Sequence, residues 1–243
     1  MRGAETMDAR DRLIVALDVE TLTEAERLVD RLQGLVTRFK IGSQLFTAAG
    51  PAAVEHVQKS GAEVFLDLKF HDIPNTVAGA AREATRMGVL MFNVHAAGGR
   101  AMMRAAAEGA AAATERSGRR PLVLAVTVLT SLDRAALSRE LSVAASVEGH
   151  VLHLAGMAAE SGLDGCVASP NEIGALRTNR GPGWVIVTPG VRPAGSTPGD
   201  QSRIATPRAA VQAGAHYLVV GRPITGAPDP ARAAEAVLQE MAS

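Results

Sequence analysis

Short apolar runs alternate along the chain with longer Ala-rich segments that carry charged residues. The runs are rich in Val, Ile and Leu, which favour strands, and the longer segments have the composition of helices. Such alternation predicts strand–helix units built around a parallel sheet. Eight strands are predicted, at residues 13–18, 36–41, 63–68, 89–94, 122–127, 165–168, 184–188 and 217–220.

The segments between and after these runs predict eight helices, near residues 22–33, 44–60, 75–87, 99–117, 147–161, 171–178, 206–213 and 230–241. Eight strand–helix units in 243 residues describe a TIM (β/α)8 barrel, an α/β fold. An open doubly wound sheet is less favoured, because the turn after the first strand reads DVETLT and lacks the glycines of that fold. With no break in composition, we expect one barrel domain over residues 12–243 after a loose N-terminal extension at residues 1–11.

Charge and cysteine content narrow the class of protein. Twenty-five Lys and Arg balance twenty-five Asp and Glu, so no net field draws the chain to nucleic acid or to an anionic membrane. A small molecule is the expected partner. Cys166 is the single cysteine and is predicted to be a buried core thiol, which suits a reducing compartment. Residues 1–11 lack the apolar segment of a signal peptide, and the sequence therefore predicts a cytoplasmic protein.

In a TIM barrel the active site lies at the C-terminal ends of the strands, so polar residues at those positions are candidates for function. Such residues stand at nearly every predicted strand end: Asp18, Lys40, Asp67 with Lys69, Asn93 with His95, Thr127 with Thr130, Ser169, Thr188 with Arg192, and Gly221 with Arg222.

The third strand end, in VFLDLKFHDIPNT, has the highest concentration of ionisable side chains among the predicted strand ends. Asp67 and Lys69 are two residues apart and, with Phe65, are predicted to face the barrel interior. A simple exposed ion pair is the alternative, but such a pair contributes only about 0–1 kcal/mol and does not need a strand end. His71 and His95 are expected to make supporting hydrogen bonds, and no metal site is indicated because no third ligand stands at a useful spacing.

The last two strand ends predict a phosphate site. In YLVVGRPIT, Gly221 offers a backbone N–H and Arg222 a guanidinium, and Arg192 in TPGVRP lies on the same side of the barrel. The stretch GVRPAGSTPGDQSR, residues 190–203, is predicted to be a long functional loop.

Taken in order, these residues resemble the orotidine 5′-phosphate decarboxylase family over nearly the whole chain. The resemblance is strongest in FLDLKFHDIPNTV at 65–77. It also rests on ALDV at 16–19, FKIGSQLF at 39–46, VTVLTS at 126–131, TPGVRP at 188–193, GDQSRIATP at 199–207 and VVGRPIT at 219–225. It implies decarboxylation of orotidine 5′-phosphate to UMP and CO2, no cofactor, and a homodimer of barrels with shared active sites.

The resemblance also implies roles for individual residues. Lys40, Asp67, Lys69 and Asp72 match the family's array of alternating charges, in which Lys69 is the proton donor. Asp72, Ile73 and Thr76 match residues given to the partner subunit's site. The ribose hydroxyls are assigned to Asp18 and Lys40, the pyrimidine edge to Thr130, and the phosphate to Arg192, Gln201, Gly221 and Arg222.

Two alternatives stay open at this point. Metal-dependent 3-keto-gulonate phosphate decarboxylases and hexulose phosphate synthases share the Asp-x-Lys-x-x-Asp strand end, although the IPNT that follows resembles them less. A catalytically inactive sensor of phosphoribosyl ligands would use the same phosphate site, but it would have no use for carboxylates beside a substrate carboxylate.

Overall fold

The computed structural model describes residues 7–193 and 205–243, with the side chains of residues 115–117 left out of that description. Within this part of the chain, eight parallel strands close into a barrel in sequence order, and β8 pairs with β1. The predicted TIM barrel is thus confirmed. The strands are β1 (Leu13–Ala16), β2 (Arg38–Gly42), β3 (Glu63–Phe70), β4 (Met91–His95), β5 (Leu122–Val126), β6 (Gly165–Val167), β7 (Val185–Thr188) and β8 (Tyr217–Val220).

A short helix precedes β1, and the other helices follow strands and form the outer layer. They are α1 (Ala9–Arg12), α2 (Leu22–Leu32), α3 (Ser43–Ala49), α4 (Pro51–Lys59), α5 (Pro74–Arg86), α6 (Gly99–Ser117), α7 (Arg134–Arg139), α8 (Val147–Glu160), α9 (Ile173–Arg180), α10 (Pro207–Gln212), α11 (Arg222–Thr225) and α12 (Pro230–Ala242). The start predicted at Thr21 is confirmed by a capping box, in which Thr21 Oγ1 accepts from Glu24 N and the Glu24 carboxylate accepts from Thr21 N.

Alternation along the strands divides the apolar core into two parts. Inward side chains such as Ile14, Phe65 and Val219 fill the barrel, while outward ones such as Val64 and Leu66 pack against the helices. This is the arrangement that period-two alternation predicts for the third strand. The filled interior leaves room for polar groups only at the two ends of the barrel.

Three local predictions need correction. The single helix predicted at 44–60 is two helices, because Gly50 has a positive φ of 60° and Pro51 has no N–H to continue the first one. Helix α7 was not predicted, although Asp133 caps it by accepting a hydrogen bond from Ala136 N. Residues 9–11, expected in a loose extension, are helical, and the Asp8 side chain caps that turn.

Candidate active site

A cavity of about 540 Å³ opens at the C-terminal ends of the strands. Its walls come from seven of the eight strand ends and the loops after them. The cavity brings together these residues that the sequence had singled out: Asp18, Lys40, Asp67, Lys69, Thr130, Arg192, Gly221 and Arg222. Residues separated by up to 204 positions therefore share one cavity, because the parallel strands all end at this face.

Four of these residues form a connected chain of alternating charges. Lys40 Nζ lies 2.8 Å from Asp18 Oδ1 and 3.2 Å from Asp67 Oδ2, and Lys69 Nζ lies 2.7 Å from Asp67 Oδ1. The two central members are buried, whereas the Lys69 side chain keeps 34% of its surface exposed to the cavity. The chain therefore ends in an ammonium group that a bound molecule can reach.

The electrostatics of the buried pair keep both members charged. Burial by itself lowers the pKa of Lys40, but the carboxylates of Asp67 and Asp18 outweigh it, so the pKa is raised. Burial by itself raises the pKa of Asp67, but Lys40 and Lys69, together with hydrogen bonds from Lys69 and Asn93, leave that pKa lowered. Asp67 is consequently an ionised carboxylate at neutral pH.

The backbone at Lys69 departs from a regular strand. Lys69 has a φ of 51°, in the left-handed region, which costs a residue with a side chain about 1–2 kcal/mol. The sequence prediction that Asp67 and Lys69 face the same side is confirmed by their contact, but simple strand alternation does not produce it. A shift in register between β3 and β4 accompanies the unusual conformation.

Gly42, at the end of β2, is a member of the site that the sequence reasoning did not assign. A Cβ atom at this position would lie 3.0 Å from Lys40 Nζ and 3.2 Å from Asp18 Oδ1. Any side chain here would crowd the Lys40–Asp18 pair. The sequence signal was the glycine immediately after an apolar strand that carries a lysine.

The predicted phosphate residues lie on the opposite wall of the cavity from β3. Gly221 follows β8, Arg222 begins α11, and Arg192 follows β7. Arg192 N donates to Ala205 O at 3.0 Å, so the described residues on either side of 194–204 are in contact. Gln201 and residues 194–204 lie outside the described residues, so the predicted role of Gln201 stays a prediction.

Three predicted site residues do not line the cavity of this chain. Asp72, Ile73 and Thr76 are exposed on the segment between β3 and the first turn of α5, and Ile73 is 67% exposed. The Asp72 side chain accepts a hydrogen bond from Ile73 N at 2.6 Å. One copy of the chain therefore leaves the second acid of the Asp-x-Lys-x-x-Asp motif outside its own cavity.

The histidines and the cysteine near the barrel have separate roles. The rings of His71 and His95 lie 5.3 Å apart, and burial, with the nearby His71 and Lys69 charges, lowers the pKa of His95. Cys166 is buried as predicted, and burial raises its pKa to about 12 while Trp184 Nε1 donates to its sulfur. It is a core thiol.

Two further features of the described residues bear on metal binding and on membrane insertion. Among residues 7–193 and 205–243, no three His, Cys, Asp or Glu side chains lie close enough together to hold a metal ion. None of the helices in this part of the chain is long and apolar enough to cross a membrane.

Comparison with known proteins identifies relatives of the whole barrel. The model of the orotidine 5′-phosphate decarboxylase/HUMPS family matches residues 11–237. An orotidine 5′-phosphate decarboxylase of Moorella thermoacetica is 58% identical over 238 residues, covering 97% of this chain and 94% of the relative. One from Halorhodospira halophila is 56% identical over 232 residues, covering 96% of each chain.

Solved structures with the same fold also match nearly the whole chain. The orotidine 5′-phosphate decarboxylase of Lactobacillus acidophilus superimposes with a TM-score of 0.85 at 38% identity, covering 96% of this chain and all of the other. An uncharacterised conserved protein of Geobacillus kaustophilus gives a TM-score of 0.83 at 41% identity, covering 94% of this chain and 99% of that protein. The likeness extends over the barrel and not to a fragment of it.

Proposed function

Since the chain belongs to the orotidine 5′-phosphate decarboxylase/HUMPS family, we propose that it converts orotidine 5′-phosphate to UMP and CO2, the last step of UMP synthesis. The observation that carries the proposal is the connected array Asp18–Lys40–Asp67–Lys69, which faces the cavity that Arg192 and Arg222 also line. This arrangement offers a proton donor, a fixed negative charge and cations for a phosphate within one cavity.

Lys69 is the group proposed to act on the reacting carbon. When the bond between C6 of the pyrimidine and the carboxylate breaks, its electron pair stays on C6 in an orbital that the ring does not delocalise. An ammonium next to C6 stabilises that pair and then donates its proton to form the C6–H bond of UMP. The partly exposed Nζ of Lys69, held 2.7 Å from Asp67, supports this assignment.

Asp67 is proposed to act by its charge. It stays ionised because Lys40 and Lys69 lower its pKa, so a substrate carboxylate bound next to it is repelled, and the repulsion is relieved as CO2 leaves. Lys40 maintains that charge from the other side, 3.2 Å away. The same Lys40 and its partner Asp18 present hydrogen-bonding groups toward the cavity that suit the ribose hydroxyls.

The array alone does not account for the rate of an enzyme. Enzymes lower barriers by about 8–23 kcal/mol, whereas one placed hydrogen-bond donor contributes about 3–4 kcal/mol. Binding the phosphate away from C6 supplies further energy, which we assign to Arg192, Gly221 and Arg222. Gln201 is proposed to contribute as well, on the basis of its place in the sequence. Thr130 also lines the cavity and is proposed to contact the edge of the pyrimidine.

We propose a homodimer in which each subunit completes the other's site. Asp72, Ile73 and Thr76 are exposed and lie outside the cavity of their own chain, and an apolar side chain that is 67% exposed, as Ile73 is, suits an interface. In the dimer, Asp72 would supply the second carboxylate beside the substrate carboxylate. The enzyme would then work in the cytoplasm without a cofactor.

The direct test is the fall in ultraviolet absorbance as purified protein converts orotidine 5′-phosphate to UMP. We expect turnover that persists in EDTA. No conversion of orotidine 5′-phosphate, together with an EDTA-sensitive activity on 3-keto-gulonate phosphate or hexulose phosphate, would instead favour the metal-dependent 3-keto-gulonate phosphate decarboxylases or hexulose phosphate synthases. Tight binding of UMP without any turnover would favour the inactive sensor and contradict the proposal.

Shared sites are tested by mixing two inactive variants, Lys69→Ala and Asp72→Asn. A mixed dimer has one site with both substitutions and one site with neither, so random exchange of subunits restores about a quarter of the wild-type activity. If both groups acted within the same chain, the mixture would stay inactive, and the proposed sharing would be wrong.

A further inference from the structure

The pairing of β3 with β4 has an irregularity centred on one residue. Leu66 pairs with Phe92 and Phe70 pairs with Val94, so three residues of β3, 67–69, lie opposite the single residue Asn93. Two extra residues on one strand leave backbone groups that the ladder does not pair. Both members of the Asp67–Lys69 ion pair are among these residues.

The Asn93 side chain occupies this irregularity and bonds to both of its ends. Asn93 Oδ1 accepts a hydrogen bond from Lys69 N at 2.8 Å, and Asn93 Nδ2 donates to Asp67 Oδ1 at 2.7 Å. The residue has no exposed surface. Its amide orientation follows from the partners, because a backbone N–H can only donate and a carboxylate can only accept.

This pair of bonds requires one donor and one acceptor on the same side chain. Leucine has a similar size but neither donates nor accepts, and an ionised aspartate accepts but does not donate. The bond from Asn93 Nδ2 also shares its acceptor with the Lys69 ammonium, since Asp67 Oδ1 accepts from both Asn93 Nδ2 and Lys69 Nζ. Asn93 thus fixes the backbone of the lysine and the carboxylate that its ammonium contacts.

Lys69 depends on this support because its backbone conformation is unfavourable for a residue with a side chain. The Lys69 N–H donates to the Asn93 side chain instead of to a neighbouring strand, and this bond holds φ at 51°. Loss of that bond would allow the backbone to return to the extended region. The side chain would then leave its position against Asp67.

We propose that Asn93 is a positioning residue for Lys69: its buried amide holds the left-handed backbone and aims the ammonium at the site of protonation. The catalytic part of this inference rests on the proposed decarboxylation, whereas the conformational part does not. Asn93 itself contacts Asp67 and Lys69 and has no assigned contact with substrate.

The test compares Asn93→Leu with Thr127→Val. Thr127 is also buried at a strand end, and its Oγ1 donates to Val167 O at 3.0 Å, but it does not line the cavity. Both substitutions remove buried hydrogen bonds and keep the branching and the number of non-hydrogen atoms of the side chain. Misplacement of a reacting group by about 1 Å can lower a rate about 100-fold. We therefore expect kcat to fall about 100-fold in Asn93→Leu, with KM and UMP affinity changed little, and to stay near wild type in Thr127→Val.

Asn93→Asp gives a second readout that loss of stability alone would not produce. Two close carboxylates raise one pKa, and a protonated aspartate has the same donor and acceptor as asparagine. The ratio of its kcat to that of the wild type should rise as the pH is lowered from about 8 to about 5. A constant ratio, or equal losses of kcat in Asn93→Leu and Thr127→Val, would overturn the proposal.

Crystal structures of the two Asn93 variants separate this inference from the proposed function. We expect Lys69 to leave the left-handed region in Asn93→Leu. If the wild type has no decarboxylase activity, the proposed function fails, but this conformational result still tests the role of Asn93. An unchanged Lys69 backbone in Asn93→Leu would contradict the proposed role of Asn93, whichever reaction the protein catalyses.

Discussion

The two ends of the barrel hold charged groups in different arrangements. At the C-terminal end, Lys40 bridges Asp18 and Asp67, and Lys69 extends the chain into a cavity. At the N-terminal end, arginines make the ion pairs: Arg38 contacts Asp11 and Glu63 at 2.9 Å each, Arg119 contacts Glu63 at 2.6 Å, and Arg120 contacts Asp164 at 2.8 and 2.9 Å. The array at the C-terminal end opens into the cavity, whereas the arginine ion pairs join the starts of strands and the segments that precede them.

The choice of cation separates the two ends further. The chain has three lysines and twenty-two arginines, and two of the three lysines belong to the array at the C-terminal end. An ammonium can give up a proton during a reaction, whereas a guanidinium stays protonated and binds carboxylates through a rigid fork. The comparison teaches that the array in the cavity is built with lysines, one of which is proposed to transfer a proton, whereas the ion pairs that hold the N-terminal end are built with arginines.

The largest expected effect comes from removing the lysine that ends the array. Lys69→Ala should lower kcat by at least about 1,000-fold, because both the proton donor and the charge are lost. Lys69→Arg should recover little activity, since it restores the charge without a transferable proton. Lys59→Ala, at an exposed lysine on α4, is the control and should leave kcat unchanged. Turnover close to wild type in Lys69→Ala would reject the mechanism.

At the other end, Arg177→Ala should reduce stability rather than catalysis. Arg177 donates to Gly214 O, Gly181 O and Trp184 O at 2.7–2.9 Å, and so ties α9 to the loops that precede β7 and β8. Loss of these bonds should cost about 3–4 kcal/mol of unfolding free energy in a urea titration. The kcat of the folded protein should not change. Arg180→Ala, on the exposed end of the same helix, should cost much less.

His216 makes the N-terminal end sensitive to acid. Burial, together with the charges of Arg177 and Arg12, lowers its pKa from 6.5 to about 4, so the folded protein holds it neutral. Below pH 6.5 the unfolded chain takes up the proton first. The stabilisation is therefore complete above about pH 6.5 and is lost toward pH 4, up to about 3 kcal/mol in all.

The measurement is the unfolding free energy of wild type and His216→Asn across this pH range. Asparagine can keep an acceptor for the hydrogen bonds that reach His216 Nδ1 from Ile186 N and Arg177. Asparagine does not titrate, so the slope of unfolding free energy against pH between pH 4 and 6.5 should be shallower in the variant. Equal slopes in the two proteins would show that His216 does not cause the loss of stability in acid.

The smallest effect is expected from crowding the array without removing any charge. Gly42→Ala puts a methyl group about 3.0 Å from Lys40 Nζ, which two carboxylates hold in place. We expect kcat/KM to fall about 10-fold through displacement of Lys40, with little loss of stability. Gly183→Ala, where no atom lies within 4 Å of the added carbon, is the matched control. Equal kcat/KM in both variants would mean that the Lys40 side chain moves away from the added methyl group without any effect on the reaction.

Much of the fold followed from local patterns. The strands were predictable because each is an apolar run bounded by helix-forming segments, and the start at Thr21 was predictable from its capping residues. The break at Gly50 was missed because the residues on both sides favour one continuous helix. Helix α7 was missed because it is short and lies inside a polar connection.

The sequence by itself determined which polar residues reach the C-terminal end of the barrel, because parallel strands that alternate with helices all end on one face. It could not determine how they pair. Lys40 bridges acids 22 and 27 positions away, and closure of the barrel sets those distances. The left-handed Lys69 and its bond to Asn93 likewise depend on the register of two strands, which no local pattern specifies. Residue types fixed the chemistry available, and tertiary contacts decided its arrangement.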